Sequence, residues 1–476
     1  MTGRKRTGLP PVVLWLGYLA LTAGSAFLAD SLSGRGMGAL RHVASAAGAT
    51  AMAMILMQMV TSGRFERLSG RLGIDVTMGF HKWAAPVALG FAVLHVVALP
   101  GLPDPARPGR FASRLEMLLT GPGLWDGRLS LVVLALLVTL ALVRDRLPWR
   151  YELWRAGHLV LAVGLVAVLL AHVLTDAHGA REAAGLWWIV LAVAAIAPAL
   201  WVYVRRLVLR AGEGWVVAGV RRVADRLWEV RLSGRPGQGL RFQAGQFAWV
   251  AFGRHRLPLF DHPFSIASPP GEEATPRFVI REAGDFTGGI GAVAPGTRVG
   301  VDAPHGSFGL EPGDAGPVLL MAGGVGIAPI LSILGDLARL GPRPVRLIYV
   351  ARDASAMVDP ALWRPALDRL GGEALLLATR GAGPGMETGR PTVTHLERML
   401  AGWDRAQVTA LICGPGEMMT WASDTLEDLG LRPARIRYER FDYSAGRLSR
   451  RDRRLLWAFI ALWLACLAVT LAAGLT

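Results

Sequence analysis

Residues 79–99 read GFHKWAAPVALGFAVLHVVAL, and residues 155–174 read RAGHLVLAVGLVAVLLAHVL. Each stretch is apolar and long enough for a membrane helix. Each also carries two histidines, His81 and His95 in the first and His158 and His172 in the second. The interval within each pair is fourteen residues. At about 100° per residue this is close to four full turns, so both imidazoles leave the same helix face, about 21 Å apart along the axis. That rise covers most of an apolar core roughly 30 Å thick. Two facing helices with matched pairs offer one site near each membrane surface, each with two neutral imidazoles. Such pairs serve as axial ligands of haem iron. The expectation is two stacked b-type haems, one on His81 and His158 and the other on His95 and His172. The plainer reading is four satisfied polar residues inside a bundle. Ionisable residues within membrane segments are rare and mark functional sites, and the repeated interval favours ligands.

Outward from these two helices the chain stays apolar. Six segments fill the first 210 residues, at about 11–29, 40–61, 77–99, 128–143, 156–175 and 186–208. The 62–76 connection holds Arg64, Arg67 and Arg71, and the 144–155 connection holds Arg144, Arg146, Arg150 and Arg155. The sixth segment ends in Arg205, Arg206 and Arg210. With the basic N-terminus MTGRKRTG, these arginines place both ends of a six-helix unit in the cytoplasm. The N-terminus lacks a clear small-residue cleavage site and reads as a first membrane helix, not a signal peptide. The 100–127 connection, rich in Pro and Gly, falls outside. His81 and His158 then lie at the cytoplasmic end of their helices, and His95 and His172 at the outer end.

Composition agrees with a membrane protein: 52% of the 476 residues are hydrophobic and 18% charged. The net charge of +15 is carried almost wholly by arginine, with lysine only at Lys5 and Lys82. No basic helix or aromatic-basic stripe suggests a nucleic-acid reader. Cys413 and Cys466 lie far apart in dissimilar segments and indicate no disulfide framework.

From about residue 213 the pattern changes. VVAGVRRV, LWEVRLSG, QFAWVAF, HPFSIAS, RFVIREAG and RVGVDAP are short β-type runs broken by Gly and Pro, as in a small antiparallel barrel. VLLMAGG, RLIYVARD, ALLLATR and VTALICGPG follow as buried strands alternating with helical stretches, which implies βαβ units and a parallel sheet. The last segment, LLWAFIALWLACLAVTLAAGL, follows RLSRRDRR and reads as a seventh membrane helix with its start held inside.

Four motifs in this half carry chemistry. Asp261-His262-Pro263-Phe264-Ser265 places a serine hydroxyl at a strand end, where it can hydrogen-bond the N5 edge of a flavin; a plain strand is the simpler reading. Gly284-Asp285-Phe286-Thr287-Gly288-Gly289 can open a helix whose free N–H groups, with the Thr287 hydroxyl, suit a flavin pyrophosphate. Ile280 lies on the strand just before it. Gly323-Gly324-Val325-Gly326-Ile327-Ala328-Pro329 supplies the strand, glycine turn and helix of a dinucleotide phosphate site. Cys413-Gly414-Pro415-Gly416 ends a later strand, at the edge where open α/β sheets bind ligands. Cys413 alone would pass for a small buried hydrophobe. Arg352 can pair with a 2′-phosphate and favour NADPH, whereas Asp353 beside it can bind the ribose hydroxyl of NADH.

Together these segments resemble the ferric reductase and NADPH oxidase superfamily over nearly the whole chain. FHKW at 80–83 and YELWRAGH at 151–158 look like its segments around the inner haem ligands. HPFSIAS looks like its flavin motif, DAPHGSFG at 302–309 like its loop near the nucleotide, and GGVGIAPI and CGPG like its nicotinamide-dinucleotide motifs. The resemblance implies a six-helix bis-haem domain over 1–212, an FAD-binding β-barrel over 213–312 and a Rossmann-like NAD(P) domain over 313–445. A basic linker and membrane helix over 446–476 lie outside it. It also maps a terminal aromatic that covers the flavin onto Phe441, so that Ser265, Cys413 and Phe441 bear on hydride transfer. The implied activity is electron transfer from cytoplasmic NADPH through FAD and two haems to an acceptor beyond an inner membrane. That acceptor is a ferric chelate, dioxygen giving superoxide, or a periplasmic partner or quinone. Arg41, His42 and His178 are candidates to line the acceptor site, with membrane-edge charge or propionate pairing as the plainer role.

Overall fold

A computed structural model describes residues 9–32, 39–62, 74–102, 106–175, 182–209, 212–253, 257–440 and 448–475. The described residues divide into a helical unit, within 9–202 and 456–475, and a sheet unit, within 203–455.

The helical unit comprises α1 (Pro11–Leu32), α2 (Ala39–Val60), α3 (Ile74–Ala98), α4 (Pro108–Thr120), α5 (Trp125–Leu142), α6 (Tyr151–Thr175) and most of α7 (Glu182–Leu207). Among the described residues, six of these, all but α4, are long and apolar enough to cross a membrane, at the positions expected. A helix satisfies its own backbone in lipid, and so tolerates Pro86 within α3 and Pro198 within α7. The 100–127 connection is not simply a loop. Pro108 occupies the first position of α4, where a missing N–H costs nothing. The fourth span begins at Trp125, three residues before the expected start, which brings Asp126 into its first turn.

Cross-helix bonds fix the helix directions. Gln58 Nε2, late in α2, donates to the His81 carbonyl early in α3 at 3.1 Å. His95 Nδ1, late in α3, reaches the Ala44 carbonyl early in α2 at 2.8 Å. His172 near the end of α6 reaches Asp126 at the start of α5. Both pairs are therefore antiparallel. Helix α2 is small-residue-rich where it is buried, through Ala44, Ala46, Ala47, Ala49, Ala51 and Ala53, which lets neighbouring backbones come close.

In the sheet unit, β1 (Trp215–Ala224), β2 (Leu227–Ser233), β3 (Phe247–Phe252), β4 (His262–Ser265), β5 (Arg277–Arg281) and β6 (Arg298–His305) form one sheet, with the single turn α8 (Gly284–Thr287) between β5 and β6. Their pairings are antiparallel in the order β4-β3-β6-β1-β2-β5. The expected closed barrel is not formed. The edge strands meet in the isolated bridge Ile266↔Phe278. Strand β4 is four residues long, and Pro269-Pro270 soon after it cannot donate ladder bonds, so the edge does not zip shut. Val250, Phe252, Phe278 and Ile280 fill its core.

The second sheet holds β7 (Val318–Gly323), β8 (Val345–Ala351), β9 (Glu373–Ala378), β10 (Glu387–Thr388), β11 (Thr409–Cys413) and β12 (Ile436–Glu439), all parallel, in the order β10-β9-β8-β7-β11-β12. Helices α9 (Ile327–Leu340), α10 (Arg364–Arg369), α11 (Val393–Leu400) and α12 (Gly416–Asp428) connect them. Every residue of β7 and β11 is buried, which explains their unbroken apolar runs. The strand order reverses between β7 and β11, the switch point where such sheets bind ligands.

The C-terminal segment forms a helix, α13 (Arg450–Leu475), which is not among the six spans found long and apolar enough to cross a membrane among the described residues. Arg450 makes a two-pronged pair with Asp428 of α12 at 2.6 and 2.9 Å. Farther along, Phe459 and Trp463 are buried in the helical unit. Trp463 Nε1 donates to the Thr22 hydroxyl at 3.1 Å, and Phe459 packs on Tyr18 and Phe80. The helix is thus a packed member of the bundle.

Candidate functional site

The fourteen-residue interval puts His81 and His95 on one face of α3 and His158 and His172 on one face of α6. The rings of His81 and His158 approach to 6.4 Å between centroids. Two metal–imidazole bonds of about 2 Å each, together with the half-widths of two rings, span that gap. Trp154, one turn before His158, stacks on its ring at 5.2 Å and limits its rotation. His81 Nδ1 is buried and has no hydrogen-bond partner among the described residues. An orphaned buried nitrogen of this kind fits a site completed by a bound group.

His95 and His172 are anchored differently. The Ala44 carbonyl can only accept, so His95 Nδ1 must carry its proton and leave Nε2 for a ligand. His172 Nδ1 donates to Asp126 Oδ1 at 3.2 Å with the same consequence. Ligating histidines usually make such a second bond. Two glycines give these rings room. A Cβ on Gly48 of α2 would lie 2.6 Å from His95 Nδ1, and one on Gly127 of α5 2.9 Å from His172 Cε1. The four residues therefore fit as haem ligands. Asp126, Ala44, Gly48 and Gly127 were not foreseen in the sequence.

The two flavin motifs meet in space. His262 on β4 stacks on Phe286 of α8, with centroids 4.1 Å apart and planes 5° from parallel. Pro263 and Phe264 pair with Trp249 and Ala248 of β3, and Ser265, 6% exposed, ends the strand opposite Phe247. Ile280 is buried on β5 opposite Trp228. Gly284 has φ +68°, a left-handed conformation that favours glycine, and lets Asp285 begin the turn. The Thr287 hydroxyl, expected on a phosphate, instead bonds the Ala283 backbone, accepting from its N–H at 2.8 Å and donating to its carbonyl. Gly288 closes the turn with its N–H on the Gly284 carbonyl.

Beneath this sheet, Arg206 at the end of α7 is buried against Asp261 at 2.8 Å, with side chains 4% and 0% exposed. Arg205 pairs with Asp302 at 3.2 Å, and His305 Nε2 lies 3.6 Å from the same carboxylate. Burial works against the Asp302 charge, but His305, Arg205 and Arg206 outweigh it and hold the carboxyl at about 2.

At the switch point the glycine motifs abut backbone to backbone. A Cβ on Gly326 would lie 2.2 Å from the Cys413 carbonyl oxygen, and one on Gly323 2.7 Å from Pro415 Cδ. Gly414 and Gly324 complete the gap, and Pro329 lies in the first turn of α9. Only backbone this bare lets β7 and β11 present their carboxyl ends side by side. Tyr349, buried in β8 and unremarked in the sequence, links this turn to Val358: its hydroxyl donates to the Gly324 carbonyl at 3.4 Å and accepts from the Val358 N–H at 3.2 Å. Burial pushes its phenol well above the ordinary range. Arg352, exposed, follows β8. Asp353 accepts from the Ser355 hydroxyl at 2.6 Å and the Ala356 N–H at 3.0 Å, and these bonds hold its carboxyl below the usual range. Phe441 and His178 lie outside the described residues.

Three family models match the chain: "Ferric reductase like transmembrane component" over residues 47–169, "FAD-binding domain" over 214–295 and "Oxidoreductase NAD-binding domain" over 320–424. The first encloses His81, His95 and His158 and stops three residues short of His172. Among curated proteins, the reductase component 2 of terephthalate 1,2-dioxygenase from Comamonas sp is 34% identical over 134 residues, 27% of this chain and 39% of that protein. The electron transfer subunit of dihydroorotate dehydrogenase B from Bacillus caldolyticus is 33% identical over 149 residues, 31% of this chain and 58% of that protein. The chain thus spans about two-fifths to three-fifths of the length of these relatives. Among solved structures, an Amycolatopsis cytochrome P450 reductase aligns with TM-score 0.44 and 26% identity, over 49% of this chain and 70% of that one.

Proposed function

We propose that the chain is a multi-pass membrane oxidoreductase of the ferric reductase superfamily, with an FAD- and NAD(P)-binding module, that reduces ferric chelates on the far side of an inner membrane with electrons from cytoplasmic NADPH. The observation that carries the reading is the approach of the His81 and His158 rings to 6.4 Å on two helices that repeat the same fourteen-residue interval.

FAD, when bound, turns a two-electron hydride into single electrons, and two haems, when bound, relay them. The chain's own residues bind, orient and shield. Gly323, Gly324 and Gly326, with Gly414, leave β7 and β11 bare enough for a dinucleotide phosphate to meet the N-terminus of α9. Cys413 and Pro415 border that opening. Arg352 favours the 2′-phosphate of NADPH, because the Asp353 carboxylate beside it is engaged by Ser355 and Ala356. His262, Phe264 and Ser265 would hold the flavin edge. His81 with His158, and His95 with His172, hold the inner and outer haems. The arginines that end α7 engage Asp261 and Asp302 of the sheet unit, which supports a cytoplasmic location for that helix end. Exposed Arg41, Arg107 and Arg110, on segments that adjoin the His95 and His172 ends, suit an anionic chelate.

The test is NADPH oxidation by the purified full-length protein with ferric citrate against air, each with and without superoxide dismutase. The expected rate follows ferric citrate and ignores the dismutase. A rate that needs only air and yields superoxide would replace the chelate by dioxygen. No turnover with either would point to a periplasmic partner or quinone as acceptor.

A further inference from the structure

The support given to His172 sets it apart from the other candidate ligands. His95 Nδ1 rests on a neutral carbonyl, that of Ala44. His172 Nδ1 rests on a carboxylate, and that carboxylate is buried: Asp126 is 3% exposed. Its Oδ1 accepts from His172 Nδ1 at 3.2 Å and from the Gly127 N–H at 2.7 Å, and the Thr175 hydroxyl is 3.1 Å from its Oδ2. Thr175 lies one position beyond Leu174 on α6 and also reaches the Ala171 and His172 carbonyls, so the cluster closes around the end of that helix. A carboxylate within an apolar helix is costly. Asp126 is not the N-cap of α5, which starts at Trp125 without a side-chain cap. Helix formation therefore does not require it. Gly127 beside it is the residue whose missing Cβ gives the His172 ring its place.

Resting on the two-haem reading, we propose that Asp126 is a positioning residue for the outer haem: it fixes the proton of His172 on Nδ1, aims Nε2 at the iron, and holds the outer haem at a lower potential than a carbonyl-supported histidine would. A carboxylate partner raises the basicity of the ligating imidazole. A more basic imidazole stabilises the higher iron charge over the lower one, which moves the midpoint down. The same bond restrains the ring, and loss of such an outer partner weakens metal binding by about 10–100-fold.

The test is redox titration of purified full-length protein, read from haem absorbance rather than turnover. The outer midpoint is the one missing from His95→Ala protein. Asp126→Asn keeps the shape and an acceptor but removes the charge. It is expected to retain both haems, raise the outer midpoint and leave the inner one where it was. Asp126→Glu should bring the outer midpoint back toward wild type, and Asp126→Ala should lose the outer haem about 10–100-fold more readily. Asp126→Asn protein with two haems and unmoved midpoints would overturn the proposal, as would an equal rise in both. If Asp126→Asn cannot be purified folded, Gly127→Ala, which crowds the His172 ring away from Asp126, must raise the same midpoint; an unmoved value would overturn the proposal as well. Wild-type protein with fewer than two haems would instead overturn the underlying two-haem reading.

Discussion

The helical unit and the sheet unit build their candidate cofactor sites by opposite means. In the helical unit the groups that matter are side chains, four imidazoles of which three are held at a second nitrogen or ring face, His95 by Ala44, His172 by Asp126 and His158 by Trp154. In the sheet unit the dinucleotide site is an absence of side chains: Gly326 touches Cys413 backbone, and Gly323 touches Pro415. The first kind of site fails when a supporting partner is removed. The second fails when a single carbon is added. Within the sheet unit a third kind of element, the buried Arg206–Asp261 pair, ties the end of α7 to the residue just before the strand that carries the flavin motif.

The largest effect on this comparison should come from that pair. Arg206→Ala leaves Asp261 buried without its guanidinium partner, which costs about 3–5 kcal/mol. The sheet unit should melt earlier and lose FAD, while haem content stays at the wild-type value; equal loss of flavin and haem would show that the two units do not fail separately. Gly326→Ala should cost about 1–3 kcal/mol through overpacking against the Cys413 carbonyl. Its signature is a raised KM for NADPH with FAD content unchanged, and an unchanged KM would remove the backbone argument for this site.

Acid offers a smaller test. Asp302 has its folded carboxyl held at about 2 against an ordinary 3.8, worth about 2 kcal/mol. Because the folded value is the lower one, this stability is present above about pH 4 and drains away as pH falls toward about 2. A melting series from neutral to acid pH should show a decline that Asp302→Asn flattens. The smallest effect concerns nucleotide choice. Arg352→Ala should cut the preference for NADPH over NADH by about tenfold, near 1.4 kcal/mol, measured as the ratio of the two kcat/KM values. An unchanged ratio would move the specificity elsewhere.

The same contrast explains what the sequence made legible. Helix periodicity turns a fourteen-residue interval into a shared face, so His81, His95, His158 and His172 could be read directly. Their supports could not, because Ala44 and Asp126 come from other helices and periodicity says nothing about which helices meet. Asp126 was also hidden by the fourth span, which starts at Trp125 and not at 128. The strand runs and glycine motifs were legible because Gly and Pro punctuate them. Closure of the first sheet was not, since it depends on how far the four-residue β4 can pair before Pro269. Tyr349 looked like one more apolar strand residue, and its hydroxyl gains meaning only once Gly324 and Val358 fold beside it. Helix α4 went unread because its Pro and Gly suggested a loop, although Pro at a first helical position starts a helix.

The proposed function rests on a two-haem path made by paired histidines at two depths. It is tested most directly by the haem-to-protein ratio and reduced-minus-oxidised spectrum of purified wild-type and His95→Ala protein. Two six-coordinate low-spin haems are expected in the wild type. One is expected in the variant, with flavin reduction by NADPH intact. One haem or none in well-folded wild-type protein would contradict it.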